Sequence, residues 1–240
     1  MDDRADASGL TRGHGARDDA RQEYKKDFWC KENLKFVEPH FRLEKAARIV
    51  NNIARGRECD LLDVGCGPAT LIRLLSENVH YYGMDIAIHD PAPNLIEADF
   101  LETPISFGDK LFDIVLAHGV FEYVGIFQDD KFAEICELLA DDGKFVVSYW
   151  NFGHRNRDVY HSFSNIQSLN GFRESLASHF HIDRSFPVGH NWHHREPGRK
   201  LIKAAQMHIN VNIPLVSQVL AVEYFFVCSP RSDRAALASS

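Results

Sequence analysis

The chain has 240 residues, 45% of them hydrophobic, and a formal net charge of −7. That length and apolar content suit one domain with a single substantial core, and the negative balance excludes an electrostatic footprint for nucleic acid. No apolar run approaches the ~20 residues that a bilayer span needs, and the five cysteines lack paired metal-type spacing, so they read as reduced thiols of a cytoplasmic protein.

Residues 1–20 are polar and charged without an apolar period, which predicts a disordered lead with no signal-peptide core. A single domain is expected over 21–230, with 231–240 as a flexible tail. Tyr24, Phe28, Trp29, Phe36 and Phe41 form an aromatic group that either packs an amino-terminal helix or serves as a lid over 21–56. Leu43, Ala46, Ala47, Val50, Ile53 and Ala54 then recur at helical spacing and Gly56 stops them, which predicts an amphipathic helix.

Leu61-Leu62-Asp63-Val64 reads as a buried strand that breaks into the turn Gly65-Cys66-Gly67, with Ala69 and Thr70 opening a helix. The two glycines can take backbone angles closed to other residues and leave room for a ligand against the main chain. Cys66 reads as a small space-filler. About twenty residues on, Asp85 ends the strand Tyr81–Asp85, where a carboxylate can accept from ribose hydroxyls. A dinucleotide site wants a third glycine where Ala69 or Thr70 stands, so an adenosine without a pyrophosphate is the better fit.

Further along, His118 ends a fourth apolar strand, and Asp129 or Asp130 can cap a helix carrying Phe132, Ile135, Cys136 and Leu139 on one stripe. Gly143 turns the chain into a strand over Lys144–Trp150. Ser168 begins a helix with Leu169, Phe172 and Leu176 on one face, followed by a strand near Phe180–Phe186. The insert 187–220, with a helix over Arg199–Met207, reads as a substrate cap or a dimer contact. Ala221–Cys228 is a final strand of β-rich composition. Alternating units of this kind predict a mainly parallel sheet with helices on both faces.

These segments resemble the class I S-adenosylmethionine-dependent methyltransferases, through Asp63-Val64-Gly65-Cys66-Gly67-Pro68-Ala69, Gly83-Met84-Asp85-Ile86-Ala87, Glu97-Ala98-Asp99-Phe100, Phe112–Tyr123 and Leu138–Ser148. The small-molecule enzymes of the ubiquinone-biosynthesis and methionine-biosynthesis-W types are the nearest kind, the latter through Trp150-Asn151-Phe152-Gly153-His154. The resemblance implies a Rossmann-like, doubly wound α/β fold of seven strands, with the last antiparallel beside the fifth. It implies S-adenosyl-L-methionine as cofactor, held in a crook from Asp63 through Gly65, Cys66 and Gly67 to Thr70. Asp85 would hold the ribose, Ile86 would pack on adenine, Asp99 would accept from its amino group and Phe100 would lie beside it. His118 and Gly119 would close the pocket near the methyl, with Tyr24 over the cofactor.

On the acceptor side, Trp29, Trp150, His190, Trp192 and His194 are the expected substrate contacts. Methyl transfer to a hydroxyl needs a base, and His118 or His154 is the candidate. Thirteen histidines are present, and His190, His193 and His194 cluster, but consecutive side chains point apart and no metal is expected. The expected activity is methyl transfer to a small molecule, first a hydroxyl oxygen of a natural product or sugar, otherwise nitrogen or carbon. A nicotinamide oxidoreductase and a catalytically silent cofactor-binding regulator are the competing classes. No membrane is expected, and the protein should be a monomer or homodimer.

Overall fold

The computed structural model describes residues 26–151, 167–190 and 221–231. Along the chain stand α1 (Lys26–Glu32), a 3-10 turn (Asn33–Phe36), α2 (Phe41–Ala54), β1 (Cys59–Val64), a 3-10 helix (Thr70–Leu74), β2 (Val79–Asp85), β3 (Leu95–Glu97) and β4 (Phe112–Ala117). They are followed by α3 (Phe121–Val124), α4 (Gln128–Leu138), β5 (Leu139–Trp150), α5 (Leu169–His179), β6 (Phe180–His190) and β7 (Ala221–Pro230).

The strands form one sheet in the order β3-β2-β1-β4-β5-β7-β6. All neighbours run parallel except those of β7, which is antiparallel to both β5 and β6. The expected Rossmann-like sheet with an antiparallel last strand beside the fifth is the observed one. Its order reverses between β1 and β4, and ligands of open α/β sheets bind outside the carboxyl ends of strands at such a switch point. The crook after β1 and His118 after β4 flank that point.

Each sheet face buries its own cluster. On one side α2 lays Ala46, Ala47, Ile49, Val50 and Ala54 against Leu61, Tyr81, Ile114, Leu116, Val146 and Phe225. On the other, Phe132 and Ile135 of α4 and Phe172 and Leu176 of α5 cover Leu62, Val64, Val115, Phe145 and Phe226. Aromatic rings tie this second layer together, with Phe121 stacked on Phe132 at 4.7 Å and Tyr149 on Phe172 at 3.9 Å. Near-continuous burial along β1 and β4 is what two covered faces demand.

Local chemistry explains several element ends. His40 caps α2 through its side chain, which accepts from the Leu43 amide, and the helix stops where Arg55 and Gly56 turn left-handed at φ 43° and 75°. Ser168 caps α5 as expected, accepting from the Gly171 amide at 3.0 Å.

Four expectations are corrected. The segment after the crook is a five-residue 3-10 helix, because Ala69 sits left-handed at φ 52° and Leu75 is already extended. Asp129 and Asp130 lie inside the first turn of α4, whose cap is Phe127 with no side-chain bond, so they favour the helix through its dipole instead. The fifth strand begins at Leu139, and pairing with β4 jumps from Phe112–Leu139 to Ile114–Lys144 across the bend that contains Gly143. β6 runs past Phe186 to His190; Pro187 is tolerated within it because the strand is the sheet's outer edge. The expected lead, most of the tail and the Arg199–Met207 helix lie outside the described residues.

Candidate functional site

The crook after β1 is stitched by its own amides. Gly65 and Cys66 both donate to the Met84 carbonyl, at 2.7 and 3.1 Å, and Gly67 donates to Asp85 Oδ2 at 2.8 Å. The turn therefore presents carbonyls and bare Cα atoms to a ligand. Glycine is required at its first position: φ is +73°, and a Cβ there would stand 2.3 Å from Val120 Cγ2. At Gly67, with φ +54°, a Cβ would meet the Asn33 carboxamide, its Oδ1 nearest at 3.5 Å.

Asp63 and Asp85 divide the work. Asp63 is 4% exposed and lies beneath the turn, where the Tyr81 hydroxyl donates to it at 2.8 Å. Burial pushes its carboxyl up to about 7 despite that bond. It supports the crook from below. Asp85 faces the crook and accepts from Ala87 N at 2.9 Å and Asn33 Nδ2 at 3.0 Å besides Gly67 N. Burial raises its pKa, and these three donors oppose the rise. Cys66 is buried and its thiol is pushed far up by desolvation, which suits a space-filler and not a nucleophile.

Thr70 turns away from the groove to donate to the Phe36 carbonyl at 2.7 Å. Ile86 and Asp99 are half-buried at the ends of β2 and after β3. Asp99 closes a turn by accepting from Leu101 N at 2.8 Å. Phe100 is directed into the core, 6.0 Å from Phe121 and under the Lys131 ammonium at 4.9 Å.

Beyond β4 lies a group of buried polar side chains centred on Glu223 of β7, which is 1% exposed. Arg42 of α2 grips it with two bonds, Nε to Oε2 at 2.5 Å and Nη2 to Oε1 at 2.7 Å, while its guanidinium stands 5.3 Å from the Trp150 ring centre. Burial acts to raise the Glu223 pKa, but Arg42, His118 and Ser148 together bring it below the usual value. His118 Nε2 is 3.6 Å from Glu223 Oε1, outside hydrogen-bond range, and has no hydrogen-bond partner among the described residues. Its ring lies 5.2 Å from Phe225 and 6.0 Å from His40. Burial drives its pKa down to about 3, so the imidazole is neutral. Ser148 Oγ accepts from the Gly119 amide at 2.9 Å and fixes the turn after His118.

Glu122 completes this group. Its Oε1 accepts from Trp150 N at 2.9 Å, its Oε2 is buried without a hydrogen-bond partner among the described residues, and burial, aided by the Glu223 charge, pushes its pKa up to about 8. The folded state thus holds a proton that an unfolded glutamate releases near its ordinary 4.5. Stability from this group is full below that value and is lost as pH rises through the folded one. Glu122→Gln is accordingly expected to melt at a progressively higher temperature than the wild type as pH goes from ~5 to ~9, by calorimetric scans, reaching a gain of a few kcal/mol at most. A constant offset across that range would refute the burial argument.

Of the expected substrate contacts, Trp29 on α1 is edge-on to Tyr123 at 5.1 Å and Trp150 ends β5 beneath Arg42. His190 ends β6, its backbone paired with Ala221. Tyr24, His154, Trp192 and His194 lie outside the described residues, among which no group of three His, Cys, Asp or Glu could hold a metal. The same residues contain no helix long and apolar enough to cross a membrane.

Sequence reading missed Asn33, Arg42, Glu122 and Glu223. One signal was available for the last: a charge inside the apolar run Ala221–Val227 has to be paired if it is buried.

The residues fit an adenosyl donor: a crook at the switch point whose first glycine leaves no room for a Cβ, a buried carboxylate ending the next strand and a second acid after β3. The profile of a methyltransferase domain family matches residues 38–201. No curated protein matches the sequence. Among solved structures, the chain is similar to a TehB-like SAM-dependent methyltransferase from Corynebacterium glutamicum (15% identity, 90% of this chain and 98% of that one, TM-score 0.55). It is also similar to the CcbJ methyltransferase of Streptomyces caelestis (13%, 81% and 91%, 0.56) and the PH0226 protein of Pyrococcus horikoshii (16%, 82% and 94%, 0.56).

Proposed function

The chain belongs to the methyltransferase domain family as a class I S-adenosylmethionine-dependent methyltransferase, and from that premise we propose that it methylates a hydroxyl oxygen of a small molecule, with His118 taking the proton. The observation that carries this reading is the neutral, buried His118 with an unpartnered Nε2 at the carboxyl end of β4, beside a carboxylate. A neutral acceptor substrate suits the site better than a polyanion, given a net charge of −7.

S-adenosylmethionine supplies an electrophilic methyl on sulfur. The chain's residues hold and exclude. Asp85 accepts from the ribose hydroxyls, Asp99 from the adenine amino group, Ile86 packs on the base, and the bare crook lets the methionine part lie against the backbone. The site would hold the acceptor oxygen beside His118, in line with the methyl of the bound donor. As that oxygen bonds to carbon its proton passes to His118. His118 would carry that proton as an imidazolium. Glu223, held in place by Arg42, favours that imidazolium.

The test is calorimetric titration of the purified full chain with S-adenosylmethionine, followed by methyl-labelled donor and a panel of phenols, sugars, amines and activated carbon acids. Binding at one site and label recovered as an ether are the expected results. Label recovered only on nitrogen or carbon, or binding with no transfer to any acceptor, would remove the hydroxyl assignment.

A further inference from the structure

Residues 26–37 lie across the carboxyl ends of β1, β2 and β3, tied down at three places. Lys26 pairs with Glu97 at the end of β3. Asn33 Nδ2 donates to Asp85 Oδ1 at 3.0 Å and to the Ala87 carbonyl at 3.2 Å. Thr70 donates to Phe36 O at 2.7 Å, and Arg73 to Val37 O at 3.3 Å. Asn33 is the middle of the strap and only 3% exposed. With its Oδ1 3.5 Å from where a Gly67 Cβ would stand, its carboxamide rests on the bare backbone of the crook.

Acceptor capacity decides what this means. A carboxylate offers about four lone-pair positions. On Asp85 three are taken: Ala87 N and Asn33 Nδ2 use Oδ1, and Gly67 N uses Oδ2. The neighbouring hydroxyls of a ribose bring two donors, and one vacancy cannot serve both. Two of the present donors are backbone amides held by the sheet end and the crook. Asn33 alone is a side chain from an element outside the sheet, and only its departure frees a second position.

We propose that the segment 26–37 is a self-occupying latch, in which the Asn33 carboxamide stands in for one ribose hydroxyl, so that the donor is admitted only when Asn33 releases Asp85. This rests on the reading that Asp85 holds the ribose. The apparent affinity is then the intrinsic one multiplied by the fraction of open molecules, and loosening the latch raises both affinity and association rate. If Asn33 were instead a permanent part of the ribose site, its loss would weaken binding. The two roles differ in sign.

The probe is S-adenosylhomocysteine, which binds without turnover. Its association rate by stopped-flow and its Kd by calorimetry are measured on the full chain and on Asn33→Ala, Asn33→Asp, Lys26→Gln and Asp85→Ala, with amide hydrogen exchange over 26–37 in the ligand-free proteins. Asn33→Ala is expected to raise the association rate at least fivefold, lower Kd and speed exchange across the strap. Asn33→Asp, which sets like charges face to face, should do the same without leaving a void. Lys26→Gln loosens the strap from its exposed end and should give a smaller rise in the same direction. A slower or unchanged association rate in both Asn33 variants overturns the latch. Asp85→Ala that binds as tightly as the wild type overturns the ribose reading, whatever Asn33 does. Asp85→Ala weakened tenfold or more, together with weakened Asn33 variants, leaves that reading standing and removes the latch alone.

Discussion

Replacing His118 by alanine is expected to lower kcat by about 10²–10⁴, the contribution of a positioned general base, while S-adenosylhomocysteine binding changes far less. The expected pH profile is the sharper test. A base acts only when unprotonated, and burial holds His118 near 3 in the folded protein. Because kcat/KM reports the free enzyme's groups, its acid limb should fall well below pH 5 and not near the ordinary 6.5. His118→Ala should abolish that limb. A wild-type limb centred near 6.5 would point to a more exposed histidine, and full turnover in His118→Ala would end the assignment. The same depressed value sets a linkage of opposite sign to that of Glu122. Between about 3 and the unfolded 6.5 the folded state binds fewer protons at His118 than the unfolded chain, so this group lowers stability as pH falls through the window.

The largest structural effect is expected at Arg42. Glu223 is 1% exposed, and Arg42 makes both of its charged bonds to it. Arg42→Ala leaves a carboxylate buried beside Phe225 and His118 without its counter-charge, a change that costs about 3–5 kcal/mol in such settings. For a chain of this size that lowers Tm by roughly 6–20 °C. The deficit should shrink toward acid pH. Without Arg42, burial lifts the Glu223 pKa above its unfolded value, so the penalty is present only where the group must ionise. The double variant Arg42→Leu with Glu223→Leu should recover most of the loss, since removing both partners leaves no uncompensated charge. Urea denaturation of the single and double variants checks this. A loss under ~1 kcal/mol in the single variant would mean that the pair behaves like an exposed salt bridge.

The two sites differ in how far they could be read from residue order. The donor side was legible: an apolar strand, two glycines and an acid ending the next strand are a contiguous pattern, and each feature is dictated by backbone geometry within a few residues. Even there the detail shifted. Thr70 bonds the strap at the Phe36 carbonyl and the Phe100 ring packs on Phe121, contacts that no local pattern announces. On the acceptor side the residue order offered His118, His154, Trp29, Trp150, His190, Trp192 and His194, of which His154, Trp192 and His194 lie outside the described residues. Glu122 has no pattern of its own in the residue order, and its burial follows from the bond that Trp150 N makes to it.

By itself the order of residues determined the alternation of strands and helices, the crook at Gly65–Gly67 and the start of a helix at Ser168. Those depend on side-chain period, positive φ and single hydrogen bonds, all of short range. Tertiary structure alone decided that Arg42 meets Glu223 across 181 positions and that Asn33 meets Asp85 across 52. The reason is energetic. A charge or amide placed at a strand end is removed from water only when the sheet has closed, and its partner is then whichever donor the topology brings within reach.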